Sequence, residues 1–307
     1  MTETVTTPLR KPNFFIVGAP KAGTTALAEY LGEHPSVFVS TPKEPFYFCQ
    51  EFTGLPGPKS LEDYLALFGT ADAASSALGE ASAMYLYAPH AARNIHAFDP
   101  DAKIIVMLRN PVDIAHAFHS QLLHASSEDE PDFERAWELQ ETRATGDRLP
   151  PHVREPSFLQ YRHVALLGEQ VKRYLEVFAT QQIHFIVFDE FVSDTARVYG
   201  ETLEFLGVRH DGRRDFRRVN ANKVNRNARL ALFLNRPPSW ASSLAGRVKR
   251  RLGISLGFLT PLRRLNVSNQ SRTPLPAQFR RELADCFRDD IRQLSTLIGR
   301  DLSHWTV

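Results

Sequence analysis

The chain has 307 residues, 43% of them hydrophobic and 23% charged, and its formal charge is +2. That length carries a sizeable core, as one large α/β domain or two small ones, and the near-neutral balance argues against a dedicated nucleic-acid binder. Cys49 and Cys286 form neither a disulfide framework nor a metal-ligand set, no apolar run reaches the length of a membrane span, and Met1–Lys11 reads as a flexible polar terminus without a signal peptide, so a reduced, cytoplasmic setting is expected.

Strand and helix patterns alternate along the chain. Phe14–Val17 reads as a buried strand and Thr25–Leu31 as a helix with Leu27, Tyr30 and Leu31 on one face, stopped by Gly32 and Pro35. Val37–Val39 is a short strand, Tyr64–Phe68 helical, Ser82–Leu86 a third extended segment and His90–Phe98 the helix behind it. Lys103–Leu108 is the clearest strand, nearly all apolar and β-branched, as parallel strands buried on both faces are. Pro111 sits at the first position of a helix that runs to Leu123. Phe133–Arg143 and Tyr161–Phe178 read as helices on either side of the loop Gly146–Ser157. Ile183–Phe188 is a strand, and Thr195–Leu206 a helix closed by Gly207. Repeated β-α-β units predict an α/β fold, a central, mostly parallel sheet flanked by helices, with ligands at the C-terminal ends of the strands.

The first turn of that pattern carries the most chemistry. Phe14–Val17 runs into Gly18-Ala19-Pro20-Lys21-Ala22-Gly23-Thr24-Thr25 and then into the helix. Strand, glycine loop and helix N-terminus in this order cradle anions on backbone N–H groups. The spacing is almost that of a nucleotide-triphosphate P-loop, but Thr24 stands where the lysine belongs and the lysine lies inside the loop, at Lys21. Thr24 and Thr25 add hydroxyl donors, and Lys21 points at a group lying over the loop. A 5′-phosphosulfate suits this arrangement better than a triphosphate. An ordinary strand-to-helix turn also uses glycines and threonines.

The segment Pro20-Lys21-Ala22-Gly23-Thr24-Thr25 resembles the 5′-phosphosulfate loop of sulfotransferases that use 3′-phosphoadenosine 5′-phosphosulfate (PAPS). Three further stretches resemble the same family in the same order: Pro42-Lys43-Glu44-Pro45-Phe46-Tyr47-Phe48, Gly79-Glu80-Ala81-Ser82-Ala83-Met84-Tyr85, and Ile104-Ile105-Val106-Met107-Leu108-Arg109-Asn110-Pro111-Val112-Asp113. The likeness is to bacterial and heparan-type glycan sulfotransferases. It is specific up to about Phe118 and returns at Asp301–Trp305. It implies a P-loop-like sulfotransferase fold in a single domain, PAPS as co-substrate, 3′-phosphoadenosine 5′-phosphate (PAP) as product, and no metal.

Carried over residue by residue, the resemblance gives Lys21, Ala22, Gly23, Thr24 and Thr25 to the 5′-phosphosulfate and Arg109 to the 3′-phosphate, which an arginine after a buried strand can grip with a forked pair of hydrogen bonds. The serine that the family places eight residues after this arginine is Ala117 here, and Ser120, one turn on, is the candidate substitute. Glu44 matches the glutamate regarded as the general base. An apolar, aromatic surround raises a carboxylate's pKa and lets it take a proton from a hydroxyl; the lesser alternative is a solvated Lys43–Glu44 pair at a loop tip. Lys43, Glu80, Ser82 and His119 are candidates for the acceptor side, with Glu80 as the reserve base. Heparan-type members often carry lysine at the position of Ala81, so a less anionic acceptor is expected. His116, His119 and His124 share one helix, but no carboxylate or cysteine completes a metal site, and packing or surface roles fit them better.

Residues 209–275 are rich in arginine and read as a basic, lid-like segment. Arg226 and Arg229 are the candidates there for the late basic contact to the 3′-phosphate. Trp240–Leu265 interleaves basic and apolar residues, as a lid over an amphiphilic acceptor, a peripheral membrane contact or a solvated helix face would. The expected activity is sulfuryl transfer from PAPS to a hydroxyl of a glycan, small molecule or natural product. The alternatives are an ATP-dependent P-loop kinase, against which the missing lysine speaks, and a nucleotide-binding module without catalysis.

Overall fold

The computed structural model describes residues 10–217, 219, 223–225, 267–269 and 272–306. Its residues gather into two compact units. The first comprises Met1–Ile114, Arg162–Val219 and Arg280–Val307, and the second Ala115–Tyr161 and Asn220–Phe279. Arg226, Arg229 and the 240–265 segment lie outside the described residues.

The first unit is built on five strands: β1 (Phe14–Gly18), β2 (Val37–Val39), β3 (Ala77–Ala81), β4 (Lys103–Leu108) and β5 (Ile183–Val187). Their order is β2-β3-β1-β4-β5, and every pairing is parallel. The reason is in the residues. All of β1 is buried, and only Lys103 of β4 is not, so both strands need cover on two faces. Helix α1 (Thr24–Gly32) crosses from β1 toward β2 and packs on β2 and β3. Helices α2 (Leu61–Ala66) and α3 (Ala91–Phe98) follow, and Phe98 of α3 meets the edge of the Phe15 ring at 6.4 Å.

Four sequence expectations need correction, the first being the Phe133–Arg143 helix, which divides at Leu139 into two. The third strand is Ala77–Ala81, not Ser82–Leu86, which forms turns instead. Its Ala-Leu-Gly-Glu-Ala run lacks the β-branched signal. It is held by burial, and at Gly79 any Cβ would stand 2.4 Å from the Phe14 ring. The 161–178 helix is two, α7 (Tyr161–Ala165) and α8 (Leu167–Leu175), after α4 (Pro111–His124), α5 (Phe133–Glu138) and α6 (Gln140–Ala144). Leu166 leaves the helical region, with ψ 81°, and α8 restarts because the Asp290 carboxylate accepts the N–H of Gly168 at 2.9 Å and of Glu169 at 3.3 Å. Phe188 opens a helix, α9 (Phe188–Ser193), rather than ending a strand. Beyond α10 (Thr195–Leu206) comes α11 (Ala277–Ile298), the longest described helix, which the chain-order reading does not contain.

The second unit packs α5, α6 and the later part of α4 around aromatic side chains, with a bidentate, buried Arg143–Glu128 ion pair at 2.7 and 2.8 Å. It also holds an antiparallel pair, β6 (Lys223–Asn225) and β7 (Val267–Asn269).

At the end of β1 the backbone must turn without a side chain. Gly18 has φ +151°, and a Cβ there would meet Leu86 Cβ at 2.6 Å and the Ala83 carbonyl at 2.7 Å. Gly18→Ala is therefore expected to lower unfolding free energy by about 2 kcal/mol or more, as overpacking in a closed core does. Urea denaturation checks this, and an unchanged midpoint would show that the turn has room.

Candidate functional site

Three polar segments gather at the C-terminal end of the parallel sheet. β1 delivers the Gly18–Thr25 loop, its neighbour β3 anchors the Pro42–Phe48 loop, and β4 on the other side delivers Arg109. This is the end at which open α/β sheets bind ligands.

The first loop is pinned from below by the Ala19 N–H, which donates to the Met107 carbonyl at 2.6 Å. Lys21 then takes φ +63° and Gly23 φ +95° before α1 begins. Gly23 is the N-cap. As a glycine it has no side chain with which to cap the helix, and the first turn carries no acidic residue. The opening N–H groups of a helix have no intrahelical acceptor and stand at the positive end of its dipole. Thr24 is buried and Thr25 half-buried at this turn, beside the half-buried Lys21.

Arg109 follows β4 directly. Its Nη1 donates to the Lys21 carbonyl at 3.0 Å, and its guanidinium lies 4.5 Å from the centre of the Phe188 ring. Asp113, one turn into α4, stands 3.8 Å from it and accepts from Arg280 of α11 at 2.9 Å. The C-terminal turn supports the same corner. The Asn110 amide donates to the Trp305 carbonyl at 3.3 Å, and Trp305 Nε1 donates to Asp189 at 2.9 Å. Phe188 and Arg280 escape a reading by motif. The signal for Phe188 is an aromatic at a strand's C-terminal end, while nothing local marks Arg280.

The second loop carries Lys43 and Glu44. Their side chains pair at 3.1 Å and are partly exposed, 24% and 33%, so Glu44 does not sit in the apolar surround that the sequence suggests. The backbone is unusual. Glu44 has φ +62° and Phe46 φ +54°, sparsely populated for such residues. The Glu44 N–H donates to the Ala81 carbonyl at 3.1 Å.

Glu80 and Ser82, expected on the acceptor side, are both wholly buried. β3 is covered on both faces, so Glu80 lies in the interior, where three hydroxyls donate to it: Tyr64 at 3.0 Å, Tyr85 at 2.8 Å and Ser82 at 2.6 Å. Burial pushes its pKa up to about 7, while the three donors and the Lys43 charge pull the other way. Ser120 and His119 belong to the second unit. The Ser120 hydroxyl donates to the His116 carbonyl at 3.1 Å, a back-bond within α4. His119 is buried against Phe133 and Tyr161 with Nε2 2.8 Å from the Glu130 carbonyl, and His116 stacks on Phe133, so both histidines have packing positions. That placement gives no support to His119 as an acceptor contact.

A family model of the sulfotransferase domain matches residues 11–234. Among curated relatives, bifunctional heparan sulfate N-deacetylase/N-sulfotransferase 4 of Mus musculus is 29% identical over 301 residues, covering 96% of this chain and 31% of that protein. Heparan sulfate glucosamine 3-O-sulfotransferase 6 of Homo sapiens is 32% identical over 207 residues, 65% of this chain and 53% of that one. The chain thus spans only 31% of the first of these. The crystal structure of a sulfotransferase from Alicyclobacillus acidocaldarius superposes with a TM-score of 0.71 at 30% identity, covering 97% of this chain and all of that one. Among the described residues no helix is long and apolar enough to cross a membrane.

The buried carboxylate has a measurable signature. A pKa of about 7 in the fold against an ordinary 4.5 means that the folded state holds the Glu80 proton more tightly than the unfolded chain. The Glu80 contribution to stability therefore rises as pH falls from about 7 toward 4.5, and is absent above that window. In urea denaturation the difference between the native protein and Glu80→Gln is expected to shift in favour of the native protein on acidification through this window. A pH-independent difference would mean that Glu80 is ionised throughout.

Proposed function

The chain belongs to the sulfotransferase family, and from that premise we propose that it moves a sulfuryl group from PAPS to a hydroxyl of a glycan or small-molecule acceptor. Family membership displaces the kinase alternative. The observation that carries the donor assignment is the Arg109–Lys21 contact. It fastens a guanidinium to the loop at a helix N-terminus whose N-cap is a glycine, so that two anion-binding groups are held as one piece.

The residues present fit a nucleotide with phosphate at both the 5′ and 3′ positions. The first-turn N–H groups of α1 and the hydroxyls of Thr24 and Thr25 would hold the 5′-phosphate, and the remaining N–H donors of Arg109 the 3′-phosphate. PAPS, when bound, supplies a sulfuryl group whose bridging oxygen leaves with the 5′-phosphate. Lys21, as an ammonium at the loop, stabilises the negative charge that grows on that oxygen. Glu44 takes the proton of the acceptor hydroxyl. Lys43 engages Oε1, and we assign the proton to Oε2. An exposed pair of this kind is weak enough for an acceptor to displace the ammonium. Residue 81 is alanine, so the position at which heparan-type members often carry lysine adds no charge to the acceptor side. This supports a less anionic acceptor than heparan sulfate. Cys49 and Cys286 are both free thiols, which supports a reducing, cytoplasmic setting.

Calorimetry is expected to give far tighter binding of PAP than of ADP or ATP, without a magnesium requirement. Equal affinities would remove the 3′-phosphate assignment of Arg109. With labelled PAPS, a glucosamine-containing oligosaccharide and p-nitrophenol as acceptors, Lys21→Ala is expected to lower kcat by about two orders of magnitude, the usual loss for a charge-stabilising donor, and to leave the fold intact. Glu44→Gln is expected to keep PAP affinity and lose turnover on the alcohol, with a smaller loss on the more acidic phenol. Near-normal turnover on the alcohol would transfer the role of base to another group.

A further inference from the structure

The segment 80–85 does more than end a strand. Its polar atoms form a row against the backbone of the loop that carries Lys43 and Glu44. The Ala81 carbonyl accepts the Glu44 N–H at 3.1 Å, Ser82 Oγ accepts the Phe46 N–H at 3.2 Å, and the Tyr85 hydroxyl accepts the Phe48 N–H at 3.2 Å. The loop needs such fixing. Two of its residues, Glu44 and Phe46, hold positive φ, a conformation that persists in non-glycine residues only where the surroundings over-determine it.

A hydroxyl has one proton, so what it does at one side dictates what it can do at the other. Ser82 gives its proton to Glu80 Oε2 and Tyr85 gives its proton to Glu80 Oε1. Only then do both hydroxyls present lone pairs to the two loop N–H groups. An ionised carboxylate, the form Glu80 takes above a pH of about 7, is the side chain that accepts at both oxygens. An amide of the same shape must donate at one of them. Either Ser82 or the two tyrosines must then reverse, which sets a hydroxyl proton against the Phe46 or the Phe48 N–H. All three hydroxyl donors to Glu80 are buried, so water does not relieve that conflict.

We propose that Glu80 is a positioning residue for sulfuryl transfer: by orienting the Ser82 and Tyr85 hydroxyls it locks the loop that presents Lys43 and Glu44. The part about turnover rests on the assignment of Glu44 as the base, and the part about the loop does not.

Amide hydrogen exchange in the full chain, read at Phe46 and Phe48, separates the two. Ser82→Ala is expected to speed exchange at Phe46 by tenfold or more, Tyr85→Phe to do so at Phe48, and Glu80→Gln at one amide or both. Tyr64→Phe removes a donor to Glu80 that bonds neither loop amide. It is expected to leave both rates within a few-fold. With PAPS and the glucosamine-containing oligosaccharide, Glu80→Gln is expected to lower kcat about tenfold while KM for PAPS and PAP affinity stay put. If Glu80→Gln does not fold, the Ser82 and Tyr85 variants decide the matter by the same two readouts. Unchanged exchange at both amides overturns the proposal, and so does faster exchange with unchanged kcat. Normal turnover in Glu44→Gln, alongside the expected exchange pattern and the lowered kcat, removes Glu44 as the base and leaves Glu80 in its positioning role.

Discussion

The hydrogen bond from Arg109 to the Lys21 carbonyl is the constraint on which the candidate donor site depends. A basic loop at a helix N-terminus and an arginine after a strand are each common. Here β1 and β4 pair in parallel with Gly18 opposite Val106, the Ala19 N–H is anchored on Met107, and the arginine two residues further closes the corner at 3.0 Å. Phe188 beneath the guanidinium and Asp113 beside it limit where that side chain can turn. The terminal turn at Trp305 braces Asn110, the next residue, so the end of the chain reaches the same corner.

Much of this was legible in the sequence, because the signals were local. The buried β-branched run of β4 announces a parallel strand. Arg109 directly after it is then bound to stand at the strand's C-terminal end. Glycines around Lys21, followed by two threonines, announce a loop and a helix start. What stayed hidden depends on partners distant in the chain. The break before α8 is set by Asp290, 122 positions beyond Gly168. The Ala-Leu-Gly-Glu-Ala strand has no propensity of its own and exists because its neighbours bury it. Ser120 and His119 share a helix with the correct spacing, yet a back-bond takes one and an aromatic cluster the other.

Glu80 is the clearest case of a residue whose role the linear pattern misplaces. As a polar residue at a strand end it reads as a candidate for the cleft. Burial of β3 on both faces encloses it, and Tyr64, Ser82 and Tyr85 converge on it from two separate segments. A buried carboxylate is costly unless its acceptors are filled. This one is filled by hydroxyls that in turn serve the loop amides, so desolvation and loop geometry are coupled in one network. The sheet thus presents two kinds of polar edge: the one we propose for the donor anion, and one that holds the loop carrying Glu44.

The central claim is that the α1 N-terminus and Arg109 form one donor site. A crystal structure of the protein with PAP bound tests it most directly. The account predicts the 5′-phosphate on the first-turn N–H groups of α1 beside Lys21, and the 3′-phosphate on the Arg109 guanidinium. A nucleotide bound elsewhere, or one whose 3′-phosphate makes no contact with Arg109, would contradict it.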